Sequence, residues 1–168
     1  MAVKNIIKIG NPVLRQISEK VEKLDKEVFS LINDMVDTIN FEEFKAVGLA
    51  AVQIGVLKRV IVTNWGKTEA YINPEIEIID KEEEELHEGC LSLYSIGCKL
   101  KRPKKIRVSA ITPKAVRVTF EAEGMLARIF LHEVDHLEGR LFIDYLDNRR
   151  LRISGAVDFL GFGDAKWG

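Results

Sequence analysis

Two of the chain's three histidines stand four residues apart in LHEVDHLEG, residues 131–139, within a run whose apolar residues recur at helical spacing. Gly124 and Gly139 bound that run, so the expected element is a helix from Met125 to Glu138. Positions four apart share one helix face, with Cβ atoms about 6 Å from each other. His132 and His136 can therefore hold one ion between two imidazole nitrogens. Glu133 lies about 100° further round the axis. From there a carboxylate can manage a proton beside the ion without being its natural third ligand. A catalytic metal takes three protein ligands and keeps an open position, so the fold must bring another donor to this helix. A surface helix with chance histidines is the competing reading, and the complete pattern argues against it.

The rest of the chain supplies candidates for the surrounding framework. In DKEVFSLINDMVDTINFEEF, Val28, Leu31, Ile32, Met35, Val36 and Ile39 recur at helical spacing, with Asp25 placed to cap the start. AVGLAAVQIG, with its small residues and two glycines, reads as a segment packed close to other backbone. RVIVTNW, AYINPEIEIID, KKIRVSAI and AVRVTFEAEG read as strands separated by turn residues. KEEEE, residues 81–85, reads as a solvated face or loop. The expected fold is α+β: a helix, several antiparallel strands and a second helix that carries the histidine pair. No repeat or linker divides the chain, so residues 1–168 are expected to form a single domain, with a glycine-rich, weakly patterned tail from about 147.

Composition excludes several function classes. A formal net charge of −1 gives no basis for a nucleic-acid groove or an anionic membrane surface as the main partner. No apolar run reaches the length of a membrane span. MAVKNIIKIGNP is too short and too interrupted by polar residues for a secretory signal, which makes the cytoplasm the expected compartment. In that setting the two cysteines, Cys90 and Cys98, are expected to be a free thiol or a metal ligand before a disulfide.

Three residues compete for the third ligand position. Cys90 lies in HEGCLSLY, a glycine-containing turn after the acidic run, and Cys98 and His87 are its rivals. Spacing alone does not choose among them. The set AVGLAAVQIG, EGCLS and HEVDHLEG, in this order, closely resembles the three signature motifs of peptide deformylases. NPVLR, INPEI and GRLFIDYL extend the resemblance over about residues 5 to 146. It implies a compact α+β domain with a central motif-bearing helix. The implied reaction removes the formyl group from the formyl-methionine of new polypeptides and releases formate. Cys90, His132 and His136 become the metal ligands, Glu133 the general acid/base, and Gln53 with the backbone N–H of Leu91 the donors to the oxyanion. The implied ion is Fe2+, one per chain, with Zn2+, Ni2+ or Co2+ able to take its place. The partners are N-formyl-Met nascent chains, met at the ribosome, with no direct recognition of nucleic acid or membrane.

The resemblance also implies that Val47, Met125 and Ile129 help to line a pocket for the methionine side chain. Gly48 would pair its backbone with the extended peptide. Three positions depart from the family pattern: Leu131 where glutamine is usual, Val52 where proline or threonine is usual, and Tyr94 in place of proline. None of them is an implied ligand or proton carrier, so they bear on rate and substrate preference. Two rival functions share the pentapeptide: a zinc endopeptidase, and a non-catalytic relative that binds nascent chains. The first needs a third histidine or glutamate downstream, and no histidine follows His136.

Overall fold

The fold is seen in a computed structural model that describes residues 2–93 and 96–146. The expected tail from about 147 and Tyr94 lie outside the described residues. Helix α1 spans Lys26–Ile39 and helix α2 spans Met125–Leu137. Asp25 caps α1 by accepting hydrogen bonds from the N–H groups of Glu27 and Val28. Among the described residues seven strands accompany them: β1 Gly48–Ala50, β2 Val60–Trp65, β3 Lys67–Ile78, β4 Glu83–Gly89, β5 Gly97–Pro103, β6 Lys105–Ile111 and β7 Arg117–Glu123. Five form one antiparallel sheet in the order β1-β2-β3-β6-β7, and β4 and β5 form a separate antiparallel hairpin.

The apolar run VIV in β2 reflects burial on both faces of the sheet. Val60 and Val62 face α1, joining Met35, Ile39, Leu49 and Ile72 in one core cluster. Ile61 points the other way, toward Tyr71, Ile106, Val108, Phe130 and Leu137, the cluster under α2. There Phe130 packs edge-on against Tyr71 and Phe120, with ring centroids 5.0 and 5.6 Å away. Such aromatic contacts add about 0.5–1.5 kcal/mol each beyond area burial. A third cluster of Leu93, Leu100, Leu141 and Phe142 lies beneath the hairpin. Helix α2 is thus held between the large sheet on one side and the hairpin on the other.

Two strands depart from the sequence reading. KEEEE is mostly exposed as expected, yet residues 83–85 begin β4 rather than a loop. β5, over GCKLKRP, has no strand signal at all. The physical reason is that charged side chains occupy inward positions. Glu88 and Arg102 point inward with Leu86 and Leu100, so apolar alternation is broken at the positions that would reveal it.

Candidate metal centre

Helix α2 and the turn after β4 form the site. β4 ends at Gly89, Cys90 follows, and a 3-10 turn over Leu91–Leu93 leads on. This geometry carries Cys90 Sγ to 3.2 Å from His136 Nε2. The donor atoms of Cys90, His132 and His136 all lie within 4.8 Å of one another. The His132 and His136 rings are 5.0 Å apart and nearly perpendicular, so their nitrogens converge instead of stacking. His132 Nδ1 pairs with Glu88 Oε2 at 3.0 Å, which leaves Nε2 for the centre. On its outer face His132 stacks on Phe142.

The two histidines differ in their electrostatic settings. Burial opposes charge on His132, yet Cys90 and Glu88 hold its pKa well above the usual histidine range. Surroundings that favour a proton so strongly also favour a metal cation, which competes with that proton. Burial, aided by the charge of His132, pushes His136 well below the usual range and keeps its imidazole neutral.

Glu133 is buried beside the cluster, and among the described residues its Oε2 has no hydrogen-bond partner. A buried carboxylate without partners is costly and rarely persists without a functional reason. Burial, opposed by His132 and reinforced by Glu88 and Asp135, raises its pKa to about 7. Gly48 backs directly onto this side chain. A Cβ there would lie 2.8 Å from Glu133 Cδ, nearer than real Cβ atoms come, so any larger residue would require the Glu133 side chain to shift.

Gln53 is buried in the 3-10 turn Ala51–Ile54 that follows β1. Its Oε1 accepts from the Ala50 N–H at 2.8 Å, which turns Nε2 toward Ser92 Oγ at 3.2 Å and Cys90 Sγ at 3.5 Å. The N-terminal segment braces both turns. Ile7 N–H donates to Gln53 O and Ile9 N–H to Ser92 O, each at 2.8 Å, and Lys8 Nζ donates to Leu91 O at 2.8 Å.

A sequence model of the polypeptide deformylase family matches residues 3–152. The chain belongs to this family. It is 44% identical over 146 residues to the peptide deformylase of Natranaerobius thermophilus, covering 86% of this chain and 92% of that protein. The crystal structure of peptide deformylase from Thermotoga maritima superposes with a TM-score of 0.82 at 38% identity, over 88% of this chain and 99% of that one. The Ehrlichia chaffeensis enzyme, in complex with actinonin, gives 0.83 at 36% identity, over 89% and 91%. Deformylases are metal-dependent, and the Cys90, His132 and His136 group is a possible metal site.

Leu91 opens the 3-10 turn, where the first N–H groups have no acceptor within the turn itself. Val47 precedes β1, and its carbonyl accepts from Asn64 N–H at 2.8 Å. Ile129 is buried and Met125 half-buried on α2. His87 is exposed on the outer face of β4, away from the cluster. Cys98 packs against the Leu93 and Leu100 cluster. Val52 is fully buried and Leu131 half-buried, both packed into the cluster under α2.

The sequence reading missed the charged residues behind the ligands. Glu88 Oε1 accepts from Arg102 Nε and from Arg128, both at 2.9 Å. Arg102 also reaches Glu88 Oε2 at 3.1 Å and Asp135 Oδ2 at 2.6 Å, with its guanidinium 4.1 Å from the centre of the Tyr145 ring. Tyr145 O–H donates to Asp135 Oδ1 at 2.7 Å. Burial opposes charge on Glu88, but the hydrogen bonds from His132 and Arg102 bring its pKa down to about 2. Glu88 and Asp135 sit inside two quoted motifs, and their place next to the ligands was the one available signal.

Proposed function

We propose that Cys90, His132 and His136 hold one divalent ion, and that this centre performs the deformylase reaction. The enzyme removes the N-terminal formyl group from formyl-methionine of newly made polypeptides and releases formate. The observation that carries the assignment is the convergence of one thiol and two imidazoles beside a buried carboxylate, Glu133, whose Oε2 has no hydrogen-bond partner among the described residues, in a chain of this family. The donors suit an ion of the iron or zinc kind, and His132 is already fixed by Glu88 in the ligating orientation. When bound, the ion supplies Lewis acidity, making the attacking water more acidic and the formyl carbon more electrophilic.

The chain's own groups handle proton and charge. Glu133 takes the proton from the attacking water on its carboxylate and passes it to the departing amine nitrogen. A pKa raised to about 7 suits both halves of that transfer near neutral pH. Gln53 Nε2 and the Leu91 N–H donate to the oxygen that gains negative charge, each worth roughly 3 kcal/mol in sites of this kind. The bond from Ala50 N–H to Gln53 Oε1 fixes that amide before substrate arrives.

β1 is an edge strand: among the described residues it pairs only with β2. Its open side can take an extended peptide through the backbone around Gly48, while Val47, Met125 and Ile129 line the pocket for the methionine side chain. Recognition of this type tolerates varied sequence beyond the first residue. In this reading residues 1–168 are one catalytic unit with α2 as its central helix. It works in the cytoplasm on chains leaving the ribosome, without direct recognition of nucleic acid or membrane. No helix among the described residues is long and apolar enough to cross a membrane.

Formate release from formyl-Met peptides tests the assignment. Internal peptide cleavage without formate would indicate an endopeptidase, and binding without turnover a non-catalytic relative. Gly48→Ala should lower turnover on the order of tenfold to a hundredfold by displacing Glu133, with metal content unchanged. A parental rate in that variant would show that the close approach has no bearing on catalysis.

Fe2+ is the ion assigned here. Thiolate and imidazole suit iron and zinc alike, and the family resemblance tips the choice. Protein purified without oxygen is expected to carry iron and to exceed its zinc form in activity. Air should inactivate it, since ferrous iron and thiolate both oxidise. Metal analysis paired with formate assays on anaerobic, aerobic and zinc-exchanged samples checks this. Equal iron and zinc activities, insensitive to air, would remove the iron assignment and leave the hydrolase.

A further inference from the structure

The ligands come from two elements with no covalent reason to lie at the right separation: the β4–β5 hairpin brings Cys90, and α2 brings the histidines. Several side chains span both, and Arg128 of α2 is bonded to both strands of the hairpin. Arg128 stands on α2 one turn before His132, and its side chain is 4% exposed. Its guanidinium donates to Glu88 Oε1 at 2.9 Å, to the Leu100 carbonyl at 2.5 Å and to the Glu84 carbonyl at 2.6 Å. Glu84 and Glu88 belong to β4 and Leu100 to β5, so a single residue of α2 is bonded to both strands of the hairpin.

We propose that Arg128 is a positioning residue that sets the geometry of the metal centre by clamping the β4–β5 hairpin onto α2. The inference rests on the Cys90, His132 and His136 reading of that centre. Two backbone carbonyls and a carboxylate fan out around a planar fork, an arrangement that a guanidinium satisfies and an ammonium does not. Simple packing would be served by an apolar residue, without the cost of burying an ion. The charges behind the ligands also balance: Arg102 and Arg128 face Glu88 and Asp135, so the cluster is neutral when His132 is neutral. Glu88 is shared by Arg128 and His132, which links the clamp directly to a ligand. With Cys90 held at its distance in advance, ion binding does not have to close the gap.

The test compares parent, Arg128→Lys, Arg128→Met and Cys90→Ser proteins. It measures metal affinity by chelator competition, the visible spectrum of the Co2+-loaded form, and thermal melting of the metal-free form. Arg128→Lys keeps the charge and loses the fork. It should bind metal roughly 10- to 100-fold more weakly, as supporting residues of metal ligands do, and should shift the Co2+ bands. Arg128→Met removes every bond and should bind metal more weakly still; if it fails to fold, the lysine variant decides alone. Parental affinity and an unshifted Co2+ spectrum in Arg128→Lys, whatever its melting temperature, would overturn the clamp. Cys90→Ser separates the two levels of the argument. If it binds metal as the parent does, the centre itself is misassigned. If it loses metal while Arg128→Lys does not, only the clamp fails.

Discussion

Replacing Glu133 with glutamine should leave a folded, metal-loaded protein whose formate release falls by roughly 10²- to 10⁴-fold, the range for a lost general acid/base. The amide keeps the shape of the side chain and cannot carry the proton. Stability should move the other way. Glu133 is buried and its Oε2 has no partner among the described residues, so the fold now bears the desolvation of that group. The isosteric amide relieves the ionised form, and Glu133→Gln should melt no lower than the parent. A catalytic group held at the expense of stability is a recognised trade. Formate assay, metal analysis and melting of the same preparation check all three expectations. Near-parental turnover with full metal would take Glu133 out of the mechanism.

Cys90→Ala should abolish stoichiometric metal binding, and activity with it, while Cys98→Ala binds metal normally. Losing one of three ligands leaves two imidazoles, too few for a stable site. Cys98 has a different setting. It packs among Leu93, Leu100 and their neighbours, and burial raises its thiol pKa, so it stays protonated. Removing it takes a small half-buried group from the edge of the third cluster and should cost stability more than metal. Metal content by elemental analysis after dialysis decides between the two thiols, and the reverse pattern would overturn the choice of Cys90.

Helix α1 was legible because its apolar face is almost unbroken, and α2 from its spacing and end signals although Arg128, His132, Glu133, Asp135 and His136 are buried on it. Val28, Leu31, Met35 and Ile39 repeat through α1, and the glycines mark both ends of α2. β2, β3, β6 and β7 were legible from β-branched runs between turn residues. The hairpin that carries Cys90 was not. Its inward positions alternate Leu86 with Glu88 and Leu100 with Arg102, so the period is present but half its members are ions. Those ions become comprehensible only when α2 supplies Arg128, His132 and Asp135 across the gap. A local sequence pattern cannot show partners that are 28 to 44 residues away. The same holds for the choice of thiol. Cys90 and Cys98 are equivalent as spacing; the family motif favours Cys90, and in the fold Cys90 Sγ lies 3.2 Å from His136 Nε2.

The brace and the centre both join distant parts of the chain: Lys8 with Leu91, 83 residues on, and Cys90 with His136, 46 residues on. During synthesis at roughly 5–20 residues per second, about 2 to 9 seconds separate the two halves of a centre that are 46 residues apart. For that interval Cys90 is a thiol without its imidazoles, and no partial chain can retain an ion in the final geometry. Loop-closure entropy of this size must be met before any long-range contact forms. The three proposed ligands can therefore meet only after the whole of α2 has been made.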